Sequence, residues 1–207
     1  YHYTVMMEPT QDKFLAVLDL SMSDLPQQYE MYGDFHLENK IPMTSKIRYD
    51  LTAYSGSLLS PNLDPRSSEV RVHTLFDRRS NQEAQRWVDQ HLSGLIPDAQ
   101  VEYLRQYIHN NEFYYTLKPN RITGDFVDNF FFDSGRGFCE HYASSAAFLL
   151  RAAGTPARVV VGYLGGIIEP EENRIQVRSS HAHAWVEYWV QGEGWKRFDP
   201  TAAIHPS

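Results

Sequence analysis

The sequence predicts a chain of mixed α+β class, with strands first, helices in the middle and a closing hairpin. Three observations carry this. The first third consists of short runs rich in Tyr, Val, Phe, Leu and Ile, punctuated by Pro, Gly, Asp and Asn as antiparallel strands are. The middle has helical periodicity and ends in an alanine-rich run after Cys139, closed by Gly154 and Pro156. The segment "SHAHAWVEYWVQGEGWKRFDPTA" (180–202) alternates as two strands about a glycine-containing turn.

The strand-like runs of the first third are "HYTVMME" (2–8), "KFLAVLDLSM" (13–22), "YEMYGDFHLEN" (29–39) and "SKIRYDLTAYS" (45–55), spaced as a meander would be. No catalytic residue types cluster there, so this region reads as a packing or scaffold module. The turn-rich "SPNLDPRSSEVR" (60–71) marks a joint, giving a β-rich module over 1–70 and a second module over 71–207. In the second module Ser80 and Glu83 have capping-box spacing, and Asp98 is placed to cap a helix with Val101, Leu104, Tyr107 and Ile108 along one face. "FYYTLKP" (113–119) returns to strand character, and "VDNFFFDSGRG" (127–137) is an aromatic-rich approach to a glycine loop.

Composition narrows the function. The net charge of −7 without a basic tract argues against nucleic acid as a partner, because phosphate binding needs clustered Lys and Arg. Apolar runs fall well short of the roughly 18 to 20 residues that span a bilayer. The chain opens on Tyr1 without a signal peptide, which reads as a soluble piece of a longer protein. One cysteine cannot form an internal disulfide.

That cysteine, Cys139, follows the glycine loop and opens the alanine-rich helix. In the first turn, unpaired backbone N–H groups and the positive end of the helix dipole favour a thiolate, and such placement lowers a cysteine pKa from about 8.5 to roughly 3.5–7.5. The competing reading is a small buried hydrophobe. A nucleophile needs a base. His141 is adjacent, but positions i and i+2 lie roughly 200° apart around a helix, so it is expected to pack or hydrogen-bond locally. In the hairpin, His183 precedes Gln191 by eight residues and Asp199 follows it by eight, so a turn centred near Gln191 sets them opposite each other on one sheet face. A one-residue slip would separate them. His181 shares the alternation with His183, Trp185 and Glu187, so a metal held by His181, His183 and either Glu187 or His141 is a rival use of these residues.

The motifs "GRGFCEHYAS", "LLRAAGTPARVVVGYLGG", "SSHAHAWVEYW" and "GWKRFDPTAA" resemble the transglutaminase-like superfamily of papain-type thiol enzymes, most closely its bacterial membrane-tethered branch. "FYYTLKP" is similar to a segment that precedes the cysteine in that branch. The resemblance covers residues 100–203 specifically and the N-terminal region loosely. It implies a cysteine helix packed on an antiparallel sheet, a catalytic core over 71–207, and Cys139, His183 and Asp199 as nucleophile, base and orienting carboxylate. It also chooses His183 over His181, and implies a location on the periplasmic face of a bacterial membrane. No cofactor or metal is expected; the acidic "EPEEN" (169–173) lacks EF-hand spacing and reads as a solvated loop.

The expected reaction is acyl transfer from a glutamine carboxamide to a primary amine such as a lysine side chain, through a Cys139 thioester. The oxyanion would rest on the Cys139 N–H and a second donor that the sequence does not identify. Trp185 and Trp189 share the face of His183, where they either wall the site or pack the core. Hydrolysis by the same three residues, as in a cysteine peptidase or amidase, is the alternative, and a non-catalytic binding module on this fold is a third.

Overall fold

A computed structural model describes residues 1–18, 21–22, 28–32, 36–54, 60 and 62–205. It divides into two compact units, Tyr1–Leu59 and Ser60–Ser207.

The first unit holds strands β1 (His2–Met7), β2 (Phe14–Leu15), β3 (Ser21–Met22), β4 (Tyr29–Met31), β5 (Leu37–Asn39) and β6 (Ile47–Ala53). All pairings are antiparallel, but they form two three-stranded sheets, β1-β6-β3 and β2-β5-β4, rather than one meander. The expected strand 13–22 is interrupted at Ala16, whose N–H donates to Met7 Sδ and whose carbonyl accepts the Tyr49 hydroxyl at 2.7 Å. Side chains there consume the backbone groups a ladder would need. Parts of the expected runs (residues 19–20, 33–35 and 55) lie outside the described residues. Leu15, Leu37, Met43, Tyr49 and Leu51 form the core of this unit.

The second unit contains α1 (Ser68–Arg71), α2 (Gln82–His91), α3 (Pro97–Asn110), β7 (Tyr114–Tyr115), α4 (Phe126–Asp128), β8 (Arg136–Gly137), α5 (Cys139–Ala152), β9 (Ala157–Tyr163), β10 (Ile167–Glu169), β11 (Arg174–Gln176), β12 (Ala182–Val190) and β13 (Gly194–Phe198). The antiparallel sheet β13-β12-β9 is its centre. Helix α5 buries Cys139, Tyr142, Ala143, Ala146, Ala147 and Leu150, an i, i+3, i+4 stripe along one face. Three alanines in that stripe leave room for close approach to Ala184 and Val186 of β12, which lie in the same core. The helix ends at Gly154 (φ +89°), where the Thr155 N–H returns to the Leu150 carbonyl at 2.9 Å.

Two caps differ from expectation. Helix α2 starts after Asn81, which adopts a left-handed conformation and makes no cap with its own side chain. The orphan N–H groups of Glu83 and Ala84 donate instead to the Asp128 carboxylate at 3.1 and 2.7 Å, while Asn81 Oδ1 accepts the Val127 N–H at 2.7 Å. This reciprocal lock ties α2 to α4, so the capping-box pair Ser80/Glu83 is not used. Asp128→Ala should cost about 1–2 kcal/mol, read as a lower urea midpoint with unchanged slope. Helix α3 begins with Pro97 at its first position after Ile96. Asp98 is thus inside the helix, and its carboxylate accepts the Tyr188 hydroxyl and Lys196 Nζ, each at 2.7 Å. The Lys196 hydrogen bond holds the Asp98 carboxyl below its usual range, and burial pushes the Tyr188 phenol up to about 12.

The hairpin register also differs. The ladder runs from Val186↔Phe198 to Val190↔Gly194, so its turn is centred on Gly192 (φ +82°) rather than Gln191. Moving the centre by one residue moves the pairing by two. Asp199 therefore falls past the end of the ladder, across from Trp185 and diagonal to His183. An even shift keeps both side chains on the same face, which is the property the site needs.

Candidate active site

Cys139 is the first residue of α5 and is 8% exposed. No side chain caps the helix before it: Phe138 has extended backbone and makes no cap hydrogen bond. The approach is set by Gly135 and Gly137. A Cβ on Gly135 would lie 2.2 Å from the Glu112 carbonyl oxygen, and one on Gly137 would lie 2.7 Å from His141 Cβ and Cγ. The chain thus enters the helix by close backbone approaches that only glycine permits.

His183 sits near the start of β12, opposite Gly162 of β9. A Cβ on Gly162 would come within 2.9 Å of the Trp185 ring, so the missing side chain leaves the space that Trp185 fills. Trp185 lies beside the imidazole (centroids 6.5 Å apart, 23° between planes) and carries the Arg197 guanidinium 4.1 Å from its ring centroid. Trp185 is buried, and its Nε1 has no hydrogen-bond partner among the described residues. Trp189 donates to the Ser60 carbonyl at 3.1 Å and is also buried.

Asp199 caps the short 3-10 turn Pro200–Ala203. Its Oδ1 accepts the Thr201 N–H at 3.0 Å and the Thr201 hydroxyl at 2.7 Å, and its Oδ2 lies 2.7 Å from His183 Nε2. This accounts for the D-P-T sequence. Proline starts the turn where an N–H would be unsatisfied, and threonine fills one oxygen so that the other faces the imidazole. With Nε2 engaged, Nδ1 is the ring nitrogen turned away from the carboxylate. Both side chains are largely withdrawn from water, 11% and 15% exposed, which strengthens their hydrogen bond.

A residue that the sequence reading left out lies beside the loop that leads into Cys139. Strand β7 pairs in parallel with β8, Tyr114 with Arg136 and Tyr115 with Gly137, and the Thr116 N–H donates to the Gly137 carbonyl at 2.8 Å. Arg136 covers the Tyr114 ring at 4.4 Å, and alternation turns Tyr115 to the other side. Burial first, then Cys139 and Asp199, raise the phenol pKa, so Tyr115 stays neutral. The Tyr115 hydroxyl thus lies within the electrostatic reach of both Cys139 and Asp199.

The other candidate residues are occupied otherwise. His141 stands among Phe126, Phe130 and Phe138, and burial lowers its pKa. His181 is not on strand β12 but in the 3-10 turn Ser179–His181, with Nδ1 accepting the Arg178 N–H at 3.0 Å. Glu187 is paired with Arg158 at 2.6 Å across the β12–β9 ladder. These residues do not converge, and no cluster of three or more His, Cys, Asp or Glu side chains suited to a metal occurs among the described residues.

A helix that opens on cysteine, packed on an antiparallel sheet bearing a paired histidine and aspartate, defines a papain-type thiol-enzyme fold. The transglutaminase-like superfamily model matches residues 72–200, and the chain belongs to that family. It is 38% identical over 205 residues to the protein-glutamine gamma-glutamyltransferase of Pseudomonas aeruginosa, covering 99% of this chain and 30% of that protein. An uncharacterised protein, YebA of Bacillus subtilis, is 35% identical over 49% of this chain and 15% of its own length. The crystal structure of the periplasmic domain of TgpA from P. aeruginosa superposes with a TM-score of 0.90 at 37% identity, over 98% of this chain and 69% of that one. The chain thus spans less than a third of these curated relatives.

Proposed function

We propose that this chain is the catalytic part of a thiol acyltransferase that joins glutamine carboxamides to primary amines. The observation that carries the reading is the His183 Nε2–Asp199 Oδ2 contact at 2.7 Å, in a chain 38% identical to a protein-glutamine gamma-glutamyltransferase. In this reading the Cys139 thiol gives its proton to His183 Nδ1, and the thiolate attacks the carboxamide carbon. Asp199 holds the imidazole in the tautomer that accepts at Nδ1 and supports the imidazolium. The C–N bond then breaks, ammonia leaves with the proton from His183, and a thioester remains. A lysine amine attacks the thioester, releases Cys139 and leaves an isopeptide bond. Protein or peptide side chains are accordingly the substrates, and no metal or cofactor enters the chemistry.

The same relationship supports a division into a β-rich N-terminal module and a catalytic core, on the extracytoplasmic side of a bacterial membrane and tethered to it in the full-length protein. The similarity to a domain described as periplasmic is what favours this location.

The test is a paired assay on a glutamine-bearing protein, with incorporation of a tagged primary amine and release of ammonia measured together. Wild-type protein should give both, and Cys139→Ala neither. Ammonia release without incorporation at saturating amine would replace the acyltransferase by a deamidating hydrolase.

A further inference from the structure

We infer that the outer edge of strand β9 docks the substrate: an extended polypeptide segment, apolar at alternate positions, adds to the sheet there and carries the reactive glutamine beside the site. The inference rests on the polypeptide-substrate reading given above and names how that substrate is held.

Strand β9 is the last strand of the sheet β13-β12-β9, and no strand pairs with its outer edge among the described residues. The bonds at the two ends of the β9–β12 ladder show which backbone groups face outward. The Leu164 N–H donates to the His181 carbonyl and the Trp189 N–H to the Pro156 carbonyl, both at 2.9 Å and in register with the ladder between them. Bonded and non-bonded pairs alternate in an antiparallel ladder, so the even-numbered residues of β9 bond to β12 and the odd-numbered ones point away. The Ala157 carbonyl does point away, because it accepts Arg151 Nε of helix α5 at 2.8 Å. That bond occupies the beginning of the edge. Beyond it, Val159, Val161 and Tyr163 turn their N–H and C=O groups outward at the two-residue spacing a partner strand requires.

Nothing in the sequence blunts this edge. Open edges are ordinarily guarded by charge, proline or a bulge. Here the outward residues are two valines and a tyrosine, with Val161 74% and Tyr163 47% exposed. Such an edge selects extended chain, since main-chain bonds supply affinity and alternate side chains supply selectivity. Its position commits it to substrate. Gly162 is the register partner of His183, so a strand added outside β9 runs about 10 Å from the strand of the histidine. Val159 and Val161 are the partners of Val186 and Ala184, which share a core with α5. Alternate side chains of the added segment therefore point to the side of the sheet that carries the Cys139 helix. Its length argues the same way. Residues 159–163 span about 17 Å of strand, which suits one peptide segment. By itself this contact is too small for the roughly 1,200 Å² that a stable interface between two copies buries.

Two experiments test the edge, both with a synthetic peptide of alternating valine and threonine that carries one glutamine. In the first, Val161→Pro removes an outward N–H and leaves the β9–β12 bonds in place, because proline is tolerated on an edge whose N–H faces solvent. KM for the peptide should rise about 3- to 10-fold, the effect of one lost hydrogen bond. Acylation by p-nitrophenyl acetate, which needs Cys139 but no docked strand, should proceed at the wild-type rate. Val161→Thr keeps the N–H and should match wild type in both reactions. In the second, wild-type protein meets fluorescent versions of the peptide N-methylated at one amide at a time, and binding is read by anisotropy. Methylation should weaken binding at every second amide and not between them, the period of a strand. Peptide turnover by Val161→Pro at the wild-type KM, or a methylation profile without alternation, would overturn the inference. If the proline opens the sheet, seen as equal loss of both reactions, the methylation series decides by itself. A dimer that Val161→Pro dissolves while peptide kinetics stay unchanged would give the edge to a second copy and overturn the inference as well. Alternating binding by wild-type protein that never turns over glutamine would sink the glutamine chemistry and leave the docking edge standing.

Discussion

Asp199→Asn should lower kcat for acyl transfer about 1,000- to 10,000-fold, nearly as far as Asp199→Ala, although the amide is almost isosteric with the carboxylate. The reason lies in what Thr201 demands. Its backbone N–H can only donate, and it donates to Asp199 Oδ1 at 3.0 Å. An asparagine must therefore turn its oxygen toward Thr201 and its NH₂ toward His183. Nε2 then has to accept, the imidazole proton moves to Nδ1, and the nitrogen that should take the thiol proton is already protonated. The flipped amide avoids this only by facing NH₂ to N–H, leaving a buried donor unsatisfied at about 1–3 kcal/mol. KM and the denaturation midpoint should stay close to wild type, because the packing is unchanged. Nitrogen NMR of the imidazole gives the tautomer directly. Activity within tenfold of wild type would show that Asp199 does not set it.

That prediction depends on a contact the sequence half disclosed. A turn centred near Gln191 set His183 and Asp199 on one face, and this survived a register two residues away from the expected one because faces repeat every second residue. The exact pairing was not legible, since "QGEG" offers two glycines, Gly192 and Gly194, and both adopt left-handed backbone; only the Val190↔Gly194 pair places the centre at Gly192. The helix behind Cys139 was equally plain, through its alanine stripe and its Gly154 stop. What escaped were non-local bonds. Nothing near Ser80 discloses that Asp128, 45 positions beyond Glu83, will cap α2. Nothing in "FYYTLKP" discloses that Tyr115 pairs with Gly137. A two-residue parallel ladder has no periodicity to read. His181 shows the opposite failure, where strand alternation was extended one step past the end of β12 into a 3-10 turn.

Gly135→Ala should cost on the order of 3 kcal/mol or more, from a left-handed backbone that disfavours a Cβ and a steric overlap that the neighbours cannot relieve. Gly135 has φ +58°, and the added carbon would sit 2.2 Å from a main-chain oxygen, that of Glu112, rather than against a flexible side chain. Gly135→Asn separates the two causes, because asparagine tolerates positive φ far better than alanine but carries the same Cβ. If the overlap dominates, both variants unfold at similarly reduced urea concentrations. An asparagine variant near wild type would instead make backbone conformation the whole effect. The position also governs chemistry, because the Gly135 carbonyl accepts the Tyr114 N–H at 2.8 Å one residue before the β7–β8 ladder begins. Displacing Gly135 from Glu112 therefore disturbs the β7–β8 pairing that leads the chain into the Cys139 helix. At temperatures where the alanine variant is still folded, its acylation rate should fall well below that of wild type. Retention of full acylation by a folded Gly135→Ala protein would mean that Cys139 is positioned without this turn.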